Sequence, residues 1–131
     1  MTSARPQGRV LGLGGLFFKS PDPVRLRQWY ERVLGLTFSS WGGVAFEPAS
    51  LPANSRTVFS PLAADTDYFK PSDHPFMFNL IVDDLQIALD RAAAAGAQVM
   101  PDRTSGEYGD FGWMIDCDGN KIELWQPPAA T

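Results

Sequence analysis

Residues 17–36, FFKSPDPVRLRQWYERVLGL, and residues 78–99, FNLIVDDLQIALDRAAAAGAQV, follow one plan. Each opens on apolar residues suited to a strand, passes an aspartate, and runs on at helical spacing to a glycine. In the first, Asp22 is placed to cap a helix, and Pro23 falls at N1, where its missing N–H costs nothing. Leu26, Trp29, Tyr30, Val33 and Leu34 give the apolar face, and Gly35 supplies the stop. In the second, Asp83 or Asp84 is the cap. Leu85, Ala88, Leu89, Ala92 and Ala93 give the face, and Gly96 the stop. Asp22 to Gly35 and Asp83 to Gly96 both span 13 positions. Internal repetition of this kind governs the whole fold assignment.

Outward from the helices, the same plan extends. Val10–Phe18, Leu36–Trp41, Val44–Glu47 and Arg56–Leu62 read as strands, with Gly42-Gly43 as a hairpin signal and 48–55 as a loop. Residues 63–75 form a polar linker carrying Tyr68 and Phe69 and closed by Pro71 and Pro75. Phe76–Val82, Gln98–Met100, Phe111–Ile115 and Lys121–Gln126 are the later strands, with 101–110 a loop and Asp118-Gly119-Asn120 a tight turn. The expected fold is α+β: two βαβββ modules forming a curved mixed sheet around a cleft. Module one covers about 10–62 and module two about 76–126, within a single domain 10–131 preceded by a disordered tail, 1–9. Two unrelated α+β halves with coincident helix spacing are the alternative.

Composition narrows the function. The chain has 131 residues, with 15 acidic against 11 basic and a net charge of −4, which disfavours a nucleic-acid binder or a polybasic membrane-surface protein. No apolar run approaches the roughly 20 residues of a membrane span. One cysteine, Cys117, excludes an internal disulfide framework, and one histidine, His74, excludes HExxH and other His-pair sites within a chain. The polar, basic start followed by Val10–Phe18 superficially resembles a signal peptide. Its three glycines and missing cleavage motif favour an internal strand, and a single cysteine fits the cytoplasm. Gly12-Leu13-Gly14-Gly15 lies inside a strand and lacks the third glycine of a dinucleotide fingerprint. Cys117 has no histidine nearby and reads as inert, and His74 reads as an exposed turn residue.

Residues 17–36 resemble the first module of the vicinal oxygen chelate superfamily, which includes glyoxalase I, extradiol dioxygenases and the fosfomycin- and bleomycin-resistance proteins. Residues 78–99 resemble the second module, and DCDGNKIELWQPP (116–128) its closing hairpin. DTDYFKPSDHPFMFNL (65–80) and EYGDFGWMIDCDGN (107–120) resemble a glyoxalase-like subgroup of small bacterial proteins. The resemblance implies a cleft in which many members hold a divalent ion, with ligands from the first and last strand of each module. Here those positions fall near Gly15, Met77, Val58 or Phe59, and Glu123. Only Glu123 is a ligand type for such an ion, with Asn79 a weak amide beside it, and one carboxylate does not hold a catalytic metal. No metal and no cofactor are therefore expected.

Strand parity locates the pocket. Ile122 and Leu124 should face a helix, which turns Lys121, Glu123 and Trp125 to the other face. Glu123 is the candidate catalytic base or substrate anchor, with Glu107, on a glycine-flanked candidate lid over 103–110, as a second carboxylate. Trp41, Phe46, Tyr68, Phe69, Met77, Asn79, Tyr108, Trp113, Lys121 and Trp125 are the candidate ligand-binding residues. These readings imply a metal-independent glyoxalase-like enzyme on a small organic molecule, or a protein that sequesters a small molecule as the bleomycin-resistance members do. A metal-dependent lyase or dioxygenase is disfavoured by the missing ligands. Exposed sheet edges and the habit of the resembled family point to a homodimer.

Overall fold

The computed structural model describes residues 5–129. Its two α-helices are α1 (Pro23–Leu34) and α2 (Leu85–Ala94). Its strands are β1 (Phe78–Ile81), β2 (Gln98–Gly106), β3 (Gly109–Ile115) and β4 (Lys121–Gln126), and Pro48–Ser50 forms one 3₁₀ turn.

The helices begin and end where their capping chemistry requires. Asp22 Oδ1 accepts from the Arg25 N–H at 3.1 Å, Pro23 opens α1, and Gly35 closes it at φ +72°, with its N–H on the Glu31 carbonyl at 3.2 Å. Of the two candidate aspartates, Asp84 caps α2, accepting from the Ile87 N–H at 2.9 Å. Gly96, at φ +88°, turns the chain away after it.

The strands form one open, four-stranded mixed sheet in the order β1-β4-β3-β2. β1 runs parallel to β4, and the β4–β3 and β3–β2 pairs are antiparallel. The α+β class is therefore observed, and residues 76–126 show the strand–helix–three-strand order expected of them. Both helices contribute to the core on one sheet face. Leu26, Trp29, Tyr30 and Val33 of α1 join Leu85, Leu89 and Ala92 of α2 over Phe78, Met114, Ile122 and Leu124. Burying each large aliphatic side chain contributes about 1.5–3 kcal/mol before the cost of ordering it. Gly112 lets a helix sit close: a Cβ there would lie 2.9 Å from Leu89 Cδ1.

Residues 5–62 depart from expectation. None of Val10–Phe18, Leu36–Trp41, Val44–Glu47 and Arg56–Leu62 is a strand, so the first half shows the helix of the expected module without its sheet. The turn between the second and third stretches does form, with the Ser39 N–H on the Gly43 carbonyl and the Gly42 N–H on the Ser39 carbonyl, each at 2.9 Å. Branched and aromatic residues favour extended backbone, but a strand also needs a neighbour, and that partner is not encoded in the local pattern. Val10, Leu11, Phe17, Val58 and Phe59 consequently stand 73–97% exposed.

The expected loop 101–110 is also corrected. β2 runs through to Gly106, only Glu107 and Tyr108 make the turn, and β3 starts at Gly109. Residues 103–110 are thus a hairpin tip and not a free lid. The ladder shifts register between Val99 and Arg103, the stretch that holds Pro101, a residue with no N–H for pairing.

Candidate functional site

Alternation along β4 sends Ile122 and Leu124 into the core and Lys121, Glu123 and Trp125 to the opposite face. Sheet register then builds a row across three strands. Asn79 of β1 and Trp113 of β3 both lie directly opposite Glu123. Asn79 Nδ2 donates to Glu123 Oε1 at 2.7 Å, and Trp113 Nε1 donates to Oε2 at 3.0 Å. The Tyr68 hydroxyl, from the segment joining the two halves, donates to the same Oε2. Three side-chain donors of three kinds thus converge on one carboxylate.

Tyr68 forms the roof of this group. Its ring meets Trp113 edge-on, with centroids 6.4 Å apart, and Phe69 lies 6.2 Å away. Lys121, buried at 8% exposure, donates from Nζ to the Tyr68 carbonyl at 2.6 Å. The same ammonium lies 5.2 Å from the Tyr68 ring centre and 5.9 Å from that of Trp113, within cation–π range. Desolvation, followed by the bond to Glu123 and its negative charge, pushes the Tyr68 hydroxyl up to about 12. Desolvation lowers the Lys121 ammonium, opposed by the charges of Asp102 and Glu123. Farther along the same face, Trp125 stacks on Phe111 at 6.0 Å and donates from Nε1 to the Tyr108 carbonyl at 2.7 Å.

Among the expected site residues, the structure gathers Tyr68, Asn79, Trp113, Lys121 and Glu123, with Phe69, Tyr108 and Trp125 adjoining. Glu107 is exposed at the hairpin tip and makes no hydrogen bond to this group, so a Glu123–Glu107 acid–base pair is not assembled. Trp41 and Phe46 are exposed on the segment around the Gly42 turn, and Met77 is half-buried just before β1. None of the three makes a ring or hydrogen-bond contact with the cluster. Two surface hollows among the described residues lie elsewhere. One of about 420 Å³ is lined by Leu16–Lys19, His74, Phe76 and Phe78, and one of about 250 Å³ by residues of α1, α2 and Ile81–Asp83. Glu123 opens into neither of them.

A second polar group was not visible in the linear pattern. Asp116 Oδ1 accepts from the Asp118 and Asn120 N–H groups at 2.9 Å each, and Oδ2 from Tyr30 Oη and Asn120 Nδ2 at 2.7 Å each. It ties α1 to the β3–β4 turn. Burial first, and the Asp116 charge second, raise the Tyr30 hydroxyl far above its ordinary range. His74 Nδ1 meets Asn120 Oδ1 at 2.6 Å and its ring stacks on Phe76, so His74 is half-buried and not the exposed turn residue expected. The DCDGN turn was the one local signal, but nothing in it points to Tyr30. Cys117 is partly buried, and desolvation raises its thiol, as an unreactive sulfur requires.

The donor set does not suit a divalent ion. Among the described residues no three His, Cys, Asp or Glu side chains converge. The lone carboxylate of the row already accepts three hydrogen bonds, and its neighbours are an amide, an indole, a phenol and an ammonium.

Among the described residues, no helix is long and apolar enough to cross a membrane. No curated protein matches the chain. Solved structures do. TnmS3, an antibiotic binding protein from Streptomyces sp. CB03234, is 29% identical over 39% of this chain and 41% of its own, with a TM-score of 0.36. A member of the glyoxalase/bleomycin resistance protein/dioxygenase superfamily from Sphaerobacter thermophilus is 24% identical over 37% of this chain and 40% of its own, with a TM-score of 0.34. The matches thus span about two-fifths of those two proteins. TioX from Micromonospora sp. ML1 is 17% identical over 86% of this chain and 93% of its own, with a TM-score of 0.48. The model of the glyoxalase-like domain matches residues 15–125. With the match covering nearly all of the folded chain, this protein belongs to the glyoxalase-like domain family, within the vicinal oxygen chelate superfamily.

Proposed function

We propose that the chain binds a small organic molecule on the face of Lys121, Glu123 and Trp125, with Glu123 as its anchor and without a metal. The convergence of Asn79, Trp113 and Tyr68 on Glu123 carries this reading. A carboxylate held at fixed orientation by an amide and an indole is preorganised to accept a hydrogen bond from a ligand that takes the place of Tyr68. The same donors already occupy both oxygens of Glu123, an arrangement that suits orienting a ligand better than taking a proton from one. The antibiotic binding stated for TnmS3 agrees in kind with sequestration. Metal-independent turnover with Glu123 as base is the second reading, favoured by the placement of this carboxylate among aromatic side chains.

A screen of small organic compounds by calorimetry, in chelator, tests the proposal. Hits are expected to lose at least tenfold in affinity on Glu123→Gln, about 1.4 kcal/mol. Hits indifferent to Glu123→Gln would sink the anchor. Product formation that survives chelator but not Glu123→Gln would promote the second reading.

We further infer that the chain is a homodimer in which the unpaired apolar stretches of the first half find their neighbours on a second copy. The exposure of Val10, Leu11, Phe17, Val58 and Phe59 outside any helix or strand supports this, since such patches mark association surfaces. The missing sheet of module one would be completed there, giving the two-module arrangement and the cleft.

A further inference from the structure

Tyr68 is unusual among the aromatics of the site. It enters from an irregular segment, 63–77, with no strand or helix to hold it. It remains 42% exposed, while Trp113, which it meets edge-on, is 7% exposed. Yet its side chain meets three groups at once. Its hydroxyl donates to Glu123, its edge meets Trp113, and its face lies near the Lys121 ammonium. A free molecule with the same features would find the same contacts.

The chemistry of the surroundings limits what can replace it. Glu123 and Lys121 both adjoin Tyr68 and balance one another, so a charged ligand would leave one unit of charge unpaired where a neutral one leaves none. An aliphatic alcohol offers a donor but no π-face for Lys121 and no ring for Trp113. An aromatic ring without a donor leaves the carboxylate one hydrogen bond short. We propose that the ligand is a neutral aromatic ring bearing a hydroxyl group, a phenol in class, and that it enters by displacing Tyr68. This rests on the reading of Glu123 as an anchor and goes beyond it by naming the ligand's chemistry and its built-in competitor. Because the open state is only a fraction of the population, Tyr68 lowers the apparent affinity by that fraction.

The probe is p-cresol, the tyrosine side chain freed from its backbone, with its methyl ether 4-methylanisole as the control lacking a donor. Both are titrated by tryptophan fluorescence and calorimetry into the full chain, Tyr68→Ala, and Tyr68→Ala with Glu123→Gln. The expected result is p-cresol binding about tenfold or more tighter to Tyr68→Ala than to the natural chain. The ether should bind at least tenfold more weakly than p-cresol, and Glu123→Gln should remove the p-cresol site. Equal p-cresol affinity with and without Tyr68, or an ether that binds as well as p-cresol, overturns the proposal. The natural chain supplies a readout independent of any variant's folding. In saturating deuterated p-cresol the Tyr68 ring proton resonances should move to those of a freely exposed tyrosine, and unchanged positions count against displacement. Compounds from the screen that depend on Glu123 but carry no phenolic group would end this proposal while leaving the anchor intact. A failed anchor shows instead as no Glu123-dependent binding of any compound.

Discussion

Asn79 and Glu123 occupy one rung of the parallel β1–β4 pairing, and the Asn79 amide donates to the Glu123 carboxylate at 2.7 Å. The amide does what a second carboxylate could not. Asn79→Asp sets two negative charges on one rung and removes a donor. The expected loss is about 2 kcal/mol of stability at pH 7. One of the two carboxyls then has a raised pKa in the folded state, so folding takes up a proton and part of the loss should be recovered by pH 5. Urea unfolding of both chains at the two pH values checks this.

Tyr68 has its own pH signature. Its hydroxyl is raised from 10.0 to about 12, so the folded state favours the neutral phenol. The linked stability is fully present below about pH 10 and is lost as pH climbs from there through 12. Because the side chain is partly exposed, the stability effect is small and the spectrum is the better readout. Absorbance near the tyrosinate band should show an increment at about pH 12 that is absent in Tyr68→Phe.

Asp116 should be among the most sensitive polar positions. Asp116→Ala leaves the Tyr30 hydroxyl, the Asn120 amide and two backbone N–H groups without their acceptor. Each buried donor left unpaired costs about 1–3 kcal/mol, so a total loss of about 3 kcal/mol or more is expected. Asp116→Asn, which keeps one acceptor oxygen, should lose less. Thermal and urea melts of the three chains give the ranking.

Two glycines with similar backbone angles should respond differently to alanine. Gly109 has φ +106°, and a Cβ there would lie 2.2 Å from the Gln126 carbonyl oxygen. Gly119 has φ +81° with no atom within 4 Å of its would-be Cβ. Gly119→Ala meets only the left-handed backbone penalty, about 1–2 kcal/mol. Gly109→Ala meets a main-chain clash as well and should lose about 3 kcal/mol or more. Equal losses in urea unfolding would contradict the close approach of Gly109 to the end of β4.

Dimerisation is open to a direct test. Equilibrium sedimentation of the full chain should give about twice 14.4 kDa. Introducing Val58→Asp and Phe59→Asp together should return the mass to a single chain, because two charges cannot be buried unpaired against a second copy. A 14.4 kDa species for the natural chain at micromolar concentration would refute the proposed assembly.

Both helices and the polarity of β4 were legible because each rests on local chemistry. Caps, glycine stops and a two-residue alternation are written within a few positions of one another, and Ile122, Glu123 and Leu124 fell as the alternation required. The Asn79–Glu123–Trp113 row followed once the strands were placed in register. That residues 10–18, 36–41, 44–47 and 56–62 form no strands was not legible in the same way. Residues 10–18 and 56–62 have the composition of strands, but pairing is a relation between distant segments. The seating of Tyr68 on Glu123, 55 residues apart, belongs to the same class. Residues 63–75 have no periodicity from which a direction could be read. The Tyr30–Asp116 bond spans 86 residues and was invisible for the same reason.

The alternation of β4 also separates two kinds of information along six residues. Ile122 and Leu124 answer to the helices, while Lys121, Glu123 and Trp125 answer to whatever occupies the other face. Substitutions at the odd-numbered positions can therefore rewrite chemical preference while the even-numbered ones go on specifying the hydrophobic interior. A scaffold so divided lets the proposed binding face change without renegotiating its own folding.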